Sequence, residues 1–181
     1  FAHVGGRYAD LKRHRDGLEP AVEVHSAWGT FEWMLEDAFR LGYRIAIVAN
    51  SDGHKGRPGA SYPGASTFGS YGGLTCILAK KLDRNSVWDA YQSRRVYATT
   101  GVRIFLDVTA NRNVAMGSVL KVAKDDLPRF DVCVHGTAPI ERVEFRNAMQ
   151  VLKTVRPDST DDFSNRVKIL WQGATVRGRG R

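Results

Sequence analysis

The chain has 181 residues, 43% hydrophobic and 25% charged, with a formal net charge of +8 and a pI near 9.8. That is enough for one ordinary domain or two small ones, each with a core. No run approaches the ~20 apolar residues of a membrane span, which leaves the membrane out as a partner. No basic segment followed by an apolar stretch opens the chain as a signal peptide would, so a cytoplasmic location is favoured; export stays open, because a leader could stand upstream. The two cysteines, Cys76 and Cys133, sit in apolar runs and read as buried free thiols, not a disulfide framework.

In chain order, residues 1–6 look like the end of a strand, followed by a polar, basic loop over 7–20. Residues 21–26, Ala-Val-Glu-Val-His-Ser, form the next strand. Thr30 is the expected N-cap of a helix, with Glu32 and Glu36 in its early turns. Phe31, Met34, Leu35, Ala38 and Phe39 make its apolar stripe, which reads as core packing, and Gly42 stops it. Residues 43–50 are a strand. Strand, helix and strand joined by short turns predict a parallel pair with a site at its carboxyl end.

Residues 53–73 hold seven glycines and two prolines and predict a long functional loop. Residues 72–79 are a further strand. Asp83 or Asn85 caps a second helix with Val87, Trp88 and Tyr91 on its apolar face and Arg94 and Arg95 in its last turn. From Gly101 the pattern changes to short strands over 104–109, 130–135, 143–146, 151–155 and 167–171, separated by turn-rich stretches. This predicts a small antiparallel β-sandwich over 101–181, after a first domain over 1–100. His135 falls inside it and receives no catalytic role. The tail from Arg177 to Arg181 is too short to serve as an RNA-binding repeat.

The chemistry concentrates at strand ends. The run Ile45-Ala-Ile-Val-Ala-Asn-Ser-Asp-Gly-His54 ends in Asp52 and His54, and Glu23 and His25 make a second acid–imidazole pair at i, i+2. In extended chain such pairs point the same way. His3 completes a third segment of the same kind. A lone histidine here more often caps a loop. The set of five, His3, Glu23, His25, Asp52 and His54, points to a site for zinc, manganese or iron. Lys55 and Arg57 follow directly and suit a substrate phosphate, and Arg95 is a third candidate. Loop solvation is the plain alternative for Lys55, and a helix-end salt bridge for Arg95.

Glu-Val-His-Ser-Ala-Trp-Gly (23–29), Ala-Asn-Ser-Asp-Gly-His (49–54), Tyr-Gly-Gly-Leu-Thr (71–75) and Arg-Arg-Val-Tyr-Ala-Thr-Thr-Gly (94–101) resemble the polymerase and histidinol phosphatase (PHP) superfamily, in a branch known only as domains of unknown function. The resemblance implies a fold of the α/β class: the C-terminal part of a distorted, TIM-like β/α barrel, holding two or three metal ions, before the β-sandwich. Asp52 and His54 match the last metal motif. His3 and the Glu23/His25 pair stand where the middle motifs belong; His25 is favoured over Glu23, although the residues alone do not choose.

The family's first His-x-His has no counterpart, since the five histidines are 3, 14, 25, 54 and 135. The expectation is a C-terminal portion of a longer protein, its missing half-barrel supplied in cis or by another chain. The function expected is a metal-dependent hydrolase of phosphoesters. Asp52, His54 and Arg57 would carry its chemistry, and Lys55, Arg57 and Arg95 would hold a phosphorylated small molecule or nucleotide. The alternatives are an inactive fragment that acts as a scaffold and, from the charge, a nucleic-acid-binding protein.

Overall fold

The computed structural model describes residues 1–3, 9–57, 71–123 and 126–157. The expected strand over 167–171 and the arginine-rich tail lie outside the described residues, as does most of the glycine-rich loop. The β-branched run at the start of the motif region forms β1, Ala21–Ser26, buried along its whole length. The two-residue β2, Gly29–Thr30, folds back antiparallel on its end, pairing His25 with Thr30. Helix α1, Trp33–Arg40, leads to β3, Ala46–Ala49, which runs parallel to β1. The expected parallel strand–helix–strand unit is therefore present. At the other edge of β1, Ala2 makes a parallel bridge to Val22.

Period decides which face packs where. Val22 and Val24 point from β1 toward α1 and form a buried cluster with Leu11, Met34 and Ala38. Ala21 points the other way and packs with Ala46, Val48 and Val96. The predicted helical stripe is used, but Thr30 is not its cap: it belongs to β2, and Glu32 holds the N-cap position with no side-chain bond. Gly42, at φ +75°, ends the turn as expected.

Strand β4, Leu74–Ile77, pairs antiparallel with β5, Val96–Thr99, across α2, Arg84–Gln92. Asp83 caps α2 through its carboxylate, which accepts from Ser86 N at 2.7 Å. The arginines lie beyond the helix, with Arg94 in left-handed conformation at φ +55° and its Nη2 donating to Gly117 O at 2.9 Å. The Thr75 hydroxyl ties β4 to the end of β3, donating to Ala49 O at 2.7 Å. Beyond Gly101, β6 (Phe105–Ala110) pairs antiparallel with β7 (Val114–Ala115) and β8 (Phe130–His135), and β9 (Val143–Asn147) pairs antiparallel with β10 (Gln150–Val155).

This corrects the expected fold. The described residues contain no closed barrel and only two α-helices, and most strand pairs are antiparallel. A β/α barrel needs successive parallel strands, each followed by a helix. Among the described residues the parallel strand–helix–strand unit occurs once, and β5 returns antiparallel on β4 after α2. A sandwich needs two apolar inner faces in contact. Strand β10 is exposed throughout, and among the described residues no buried hydrophobic residue comes from beyond Ala110. The C-terminal strands thus form two separate small sheets. No helix among the described residues is long and apolar enough to cross a membrane.

Candidate functional site: an acid–imidazole cluster at the strand ends

Three chain segments converge beyond the carboxyl end of β3. The backbone bond from Glu23 N to Ala2 O, 3.0 Å, fixes the first segment beside β1 and sets His3 opposite Glu23. His3 Nδ1 lies 2.9 Å from Glu23 Oε1, and its Nε2 lies 3.4 Å from Asp52 Oδ2. The other oxygen of Asp52, Oδ1, lies 2.9 Å from His54 Nε2. One carboxylate thus receives two imidazoles, and one imidazole spans two carboxylates.

Two polar neighbours hold the acids in place. Asn50 Nδ2 donates to Glu23 Oε2 at 2.9 Å, and Ser26 Oγ donates to Asp52 Oδ2 at 3.4 Å. Sequence reasoning gave neither residue this role. Asn50 had a signal, as a polar residue ending an otherwise apolar strand. The acids form the floor, with side chains only 9% (Glu23) and 10% (Asp52) exposed, while His3 and His54 are 44% and 54% exposed. The site is therefore open to solvent on its imidazole side. Asp52 itself takes φ +49°, a left-handed conformation in which Asp is tolerated better than most residues.

His25 stands apart from this cluster. Its Nδ1 meets Thr30 Oγ1 at 2.7 Å and its Nε2 meets Tyr71 O at 3.0 Å, so both ring nitrogens are engaged. The register with β3 slips between Glu23 and His25, so two residues on one face of β1 meet different neighbours. Gly73 closes over the ring: a Cβ there would come within 2.9 Å of His25 Cδ2 and would run into Ala49 Cβ.

Lys55 and Arg57 are exposed in the segment after His54. Arg95 directly precedes β5, at the end where Ile77 pairs with Val96, and its backbone oxygen accepts from Leu78 N at 2.9 Å. The opposite end, where Leu74 pairs with Thr99, lies near the cluster, because Gly73 N donates to Asn50 O at 2.8 Å. The sheet therefore sets Arg95 at the far end from the acids.

Imidazole nitrogens and carboxylate oxygens are a donor set that suits zinc, manganese or iron. As placed, the donors face one another. Among the described residues no group of three His, Cys, Asp or Glu side chains stands arranged around a common ion position.

Residues 49–121 match the family model described as a protein of unknown function, DUF3604. An uncharacterised protein of Chlamydia pneumoniae is 37% identical over 178 residues, covering 84% of this chain and 28% of the relative. Uncharacterised proteins of Chlamydia trachomatis and Chlamydia muridarum are each 34% identical over 93 residues, covering 49% of this chain and 15% of the relative. The chain thus spans about a quarter of the first relative's length. No solved structure matches. These findings correct the resemblance read from the motifs. Three of its four pieces, 49–54, 71–75 and 94–101, fall inside the stretch matching DUF3604, and none of the comparisons leads to the PHP superfamily. Four short pieces of five to eight residues were too little to carry that assignment.

Proposed function

We propose that the cluster of His3, Glu23, Asp52 and His54 binds a divalent cation and that the protein hydrolyses phosphoesters. The observation that carries this reading is the carboxylate of Asp52, which takes His54 on one oxygen at 2.9 Å and His3 on the other at 3.4 Å. Four donors from three chain segments meet on a nearly buried acidic floor. A bound divalent ion would lower the pKa of a water to about 7 and so supply hydroxide at neutral pH. Glu23 and Asp52 would give oxygen donors, and His3 and His54 nitrogen donors after their exposed rings turn from the acids. Asn50 would orient Glu23 through its second oxygen, the kind of outer contact that tunes a metal site. Lys55 and Arg57, exposed and directly after His54 in sequence, would neutralise the phosphate charge.

A second reading has its own observation. Each donor already has a partner within the cluster, and no three share a centre. On this reading the network is structural and pins the first segment to the strand ends. Titrating the chain with zinc and manganese by calorimetry separates the two. Stoichiometric uptake that Asp52→Asn abolishes, with release of p-nitrophenol from its phosphate esters, is the result expected of the hydrolase. Absence of uptake by the unmodified chain sinks the metal reading and leaves the structural one.

A further inference from the structure

A pairing of a nucleophile with a base lies on the C-terminal sheet. Cys133 and His135 are two apart on β8 and so share a face. The sequence reading of Cys133 as a buried thiol is corrected, because it is exposed, whereas Cys76 is half-buried on β4. Cys133 Sγ lies 3.3 Å from His135 Nε2. The imidazole is held from the neighbouring strand: His135 pairs with Phe105 in the β6–β8 register, and their rings lie 5.8 Å apart at 45°. Among the described residues β8 pairs with β6 on one side only.

We infer that Cys133 and His135 form an activated thiol, a site of reversible oxidation by hydroperoxides. The thiolate, not the thiol, is the nucleophile, and a nearby imidazole is a common way to obtain it. In the step, the thiol proton passes to His135 Nε2 and a sulfur lone pair attacks one peroxide oxygen. The O–O bond breaks, and the leaving oxygen takes the proton from the imidazolium and departs as water or alcohol. Sulfur is oxidised by two electrons to the sulfenic acid, and the peroxide is reduced by two. The charged groups facing the pair are Asp107, directly opposite Cys133 on β6, and Asp131 on β8, which pairs with Arg129 at 3.2 Å. Both carboxylates oppose a thiolate, so the activation has to come from the imidazole.

The test measures alkylation of the full chain by iodoacetamide at pH 7, with Cys133 and Cys76 followed separately by peptide mass. Trapping with dimedone after hydrogen peroxide reports the sulfenic acid. Cys133 of the folded chain should react about three- to tenfold faster than the same thiol in urea-unfolded chain or in folded His135→Gln, because His135 Nε2, 3.3 Å away, can take the thiol proton as sulfur attacks. The dimedone adduct should appear on Cys133 and fall in the variant. Equal rates for Cys133 in folded and unfolded chain overturn the inference whether or not the variant folds. So does an adduct confined to Cys76.

Discussion

Asp52 Oδ1 stands 2.9 Å from the Nε2 of His54, two residues on, and the backbone reaches this geometry by placing Asp52 in left-handed conformation at φ +49°. Backbone and chemistry can therefore be separated at one position. Asn is at home in the left-handed region and nearly isosteric with Asp, whereas Ala is not. Asp52→Asn should keep the fold and lose zinc or manganese uptake. Asp52→Ala should lose uptake and about 1 kcal/mol of stability besides. Calorimetric titration and urea unfolding of both variants check this. Uptake that survives Asp52→Asn would remove Asp52 from the ligand set.

Gly73 is where the loop returns to the sheet, and the space over it is already taken. An added Cβ would run into Ala49 Cβ and come within 2.9 Å of His25 Cδ2, both parts of the buried strand ends. Gly73→Ala should destabilise by about 1–3 kcal/mol through overpacking. Gly42→Ala is the control: its Cβ would meet nothing within 4 Å, so its cost is the positive φ of +75° alone, about 1 kcal/mol. Urea midpoints that fall equally in the two variants would mean that the fit around Gly73 gives way.

The local elements were legible in the sequence where one period dominates. The apolar run before Asp52 gave β3, the stripe of Met34 and Ala38 gave α1, and Asp83 gave the start of α2, because propensity and capping act over a few residues. Partnership was not legible. Glu23 and His25 share a face of β1, yet a register slip between them sends one to His3 and the other to Thr30 and Tyr71. After Gly101 the strands were visible, but whether two sheets stack depends on apolar inner faces that alternation in such short strands does not specify.

The cap of α2 makes a prediction about pH. The carboxyl of Asp83 is held below its ordinary value of 3.8, first by the backbone N–H of Ser86, then by the Ser86 hydroxyl. A depressed folded value means that the charged form favours folding. The contribution is complete above the ordinary aspartate range and fades as pH falls through the lowered folded value. Asp83→Asn keeps a capping side chain without a titrating group. The wild-type chain should exceed Asp83→Asn in Tm at pH 7, and the gap should close on acidification below pH ~4. A gap that stays constant or widens toward acid would show that the charge on Asp83 has no part in holding the helix.

Glu23 and His25 can be told apart by what each loses. His25 is 6% exposed and its ring bonds reach Thr30 and Tyr71, so its removal leaves a cavity and unpaired polar atoms. His25→Ala should cost about 2–4 kcal/mol of stability, and the folded fraction should still take up metal. Glu23→Gln keeps the size and polarity of the side chain and can still accept from Asn50, but it gives up the carboxylate facing His3. Its stability should change little while metal affinity falls by about tenfold or more, and Asn50→Ala, which frees the second oxygen of Glu23, should weaken binding by about 10- to 100-fold. Unfolding curves and metal titrations on the three variants form the check. If His25→Ala abolishes uptake in a folded chain while Glu23→Gln spares it, the metal moves from the His3 side of β1 to the Thr30 side, and the cluster described here becomes a strand-end clasp.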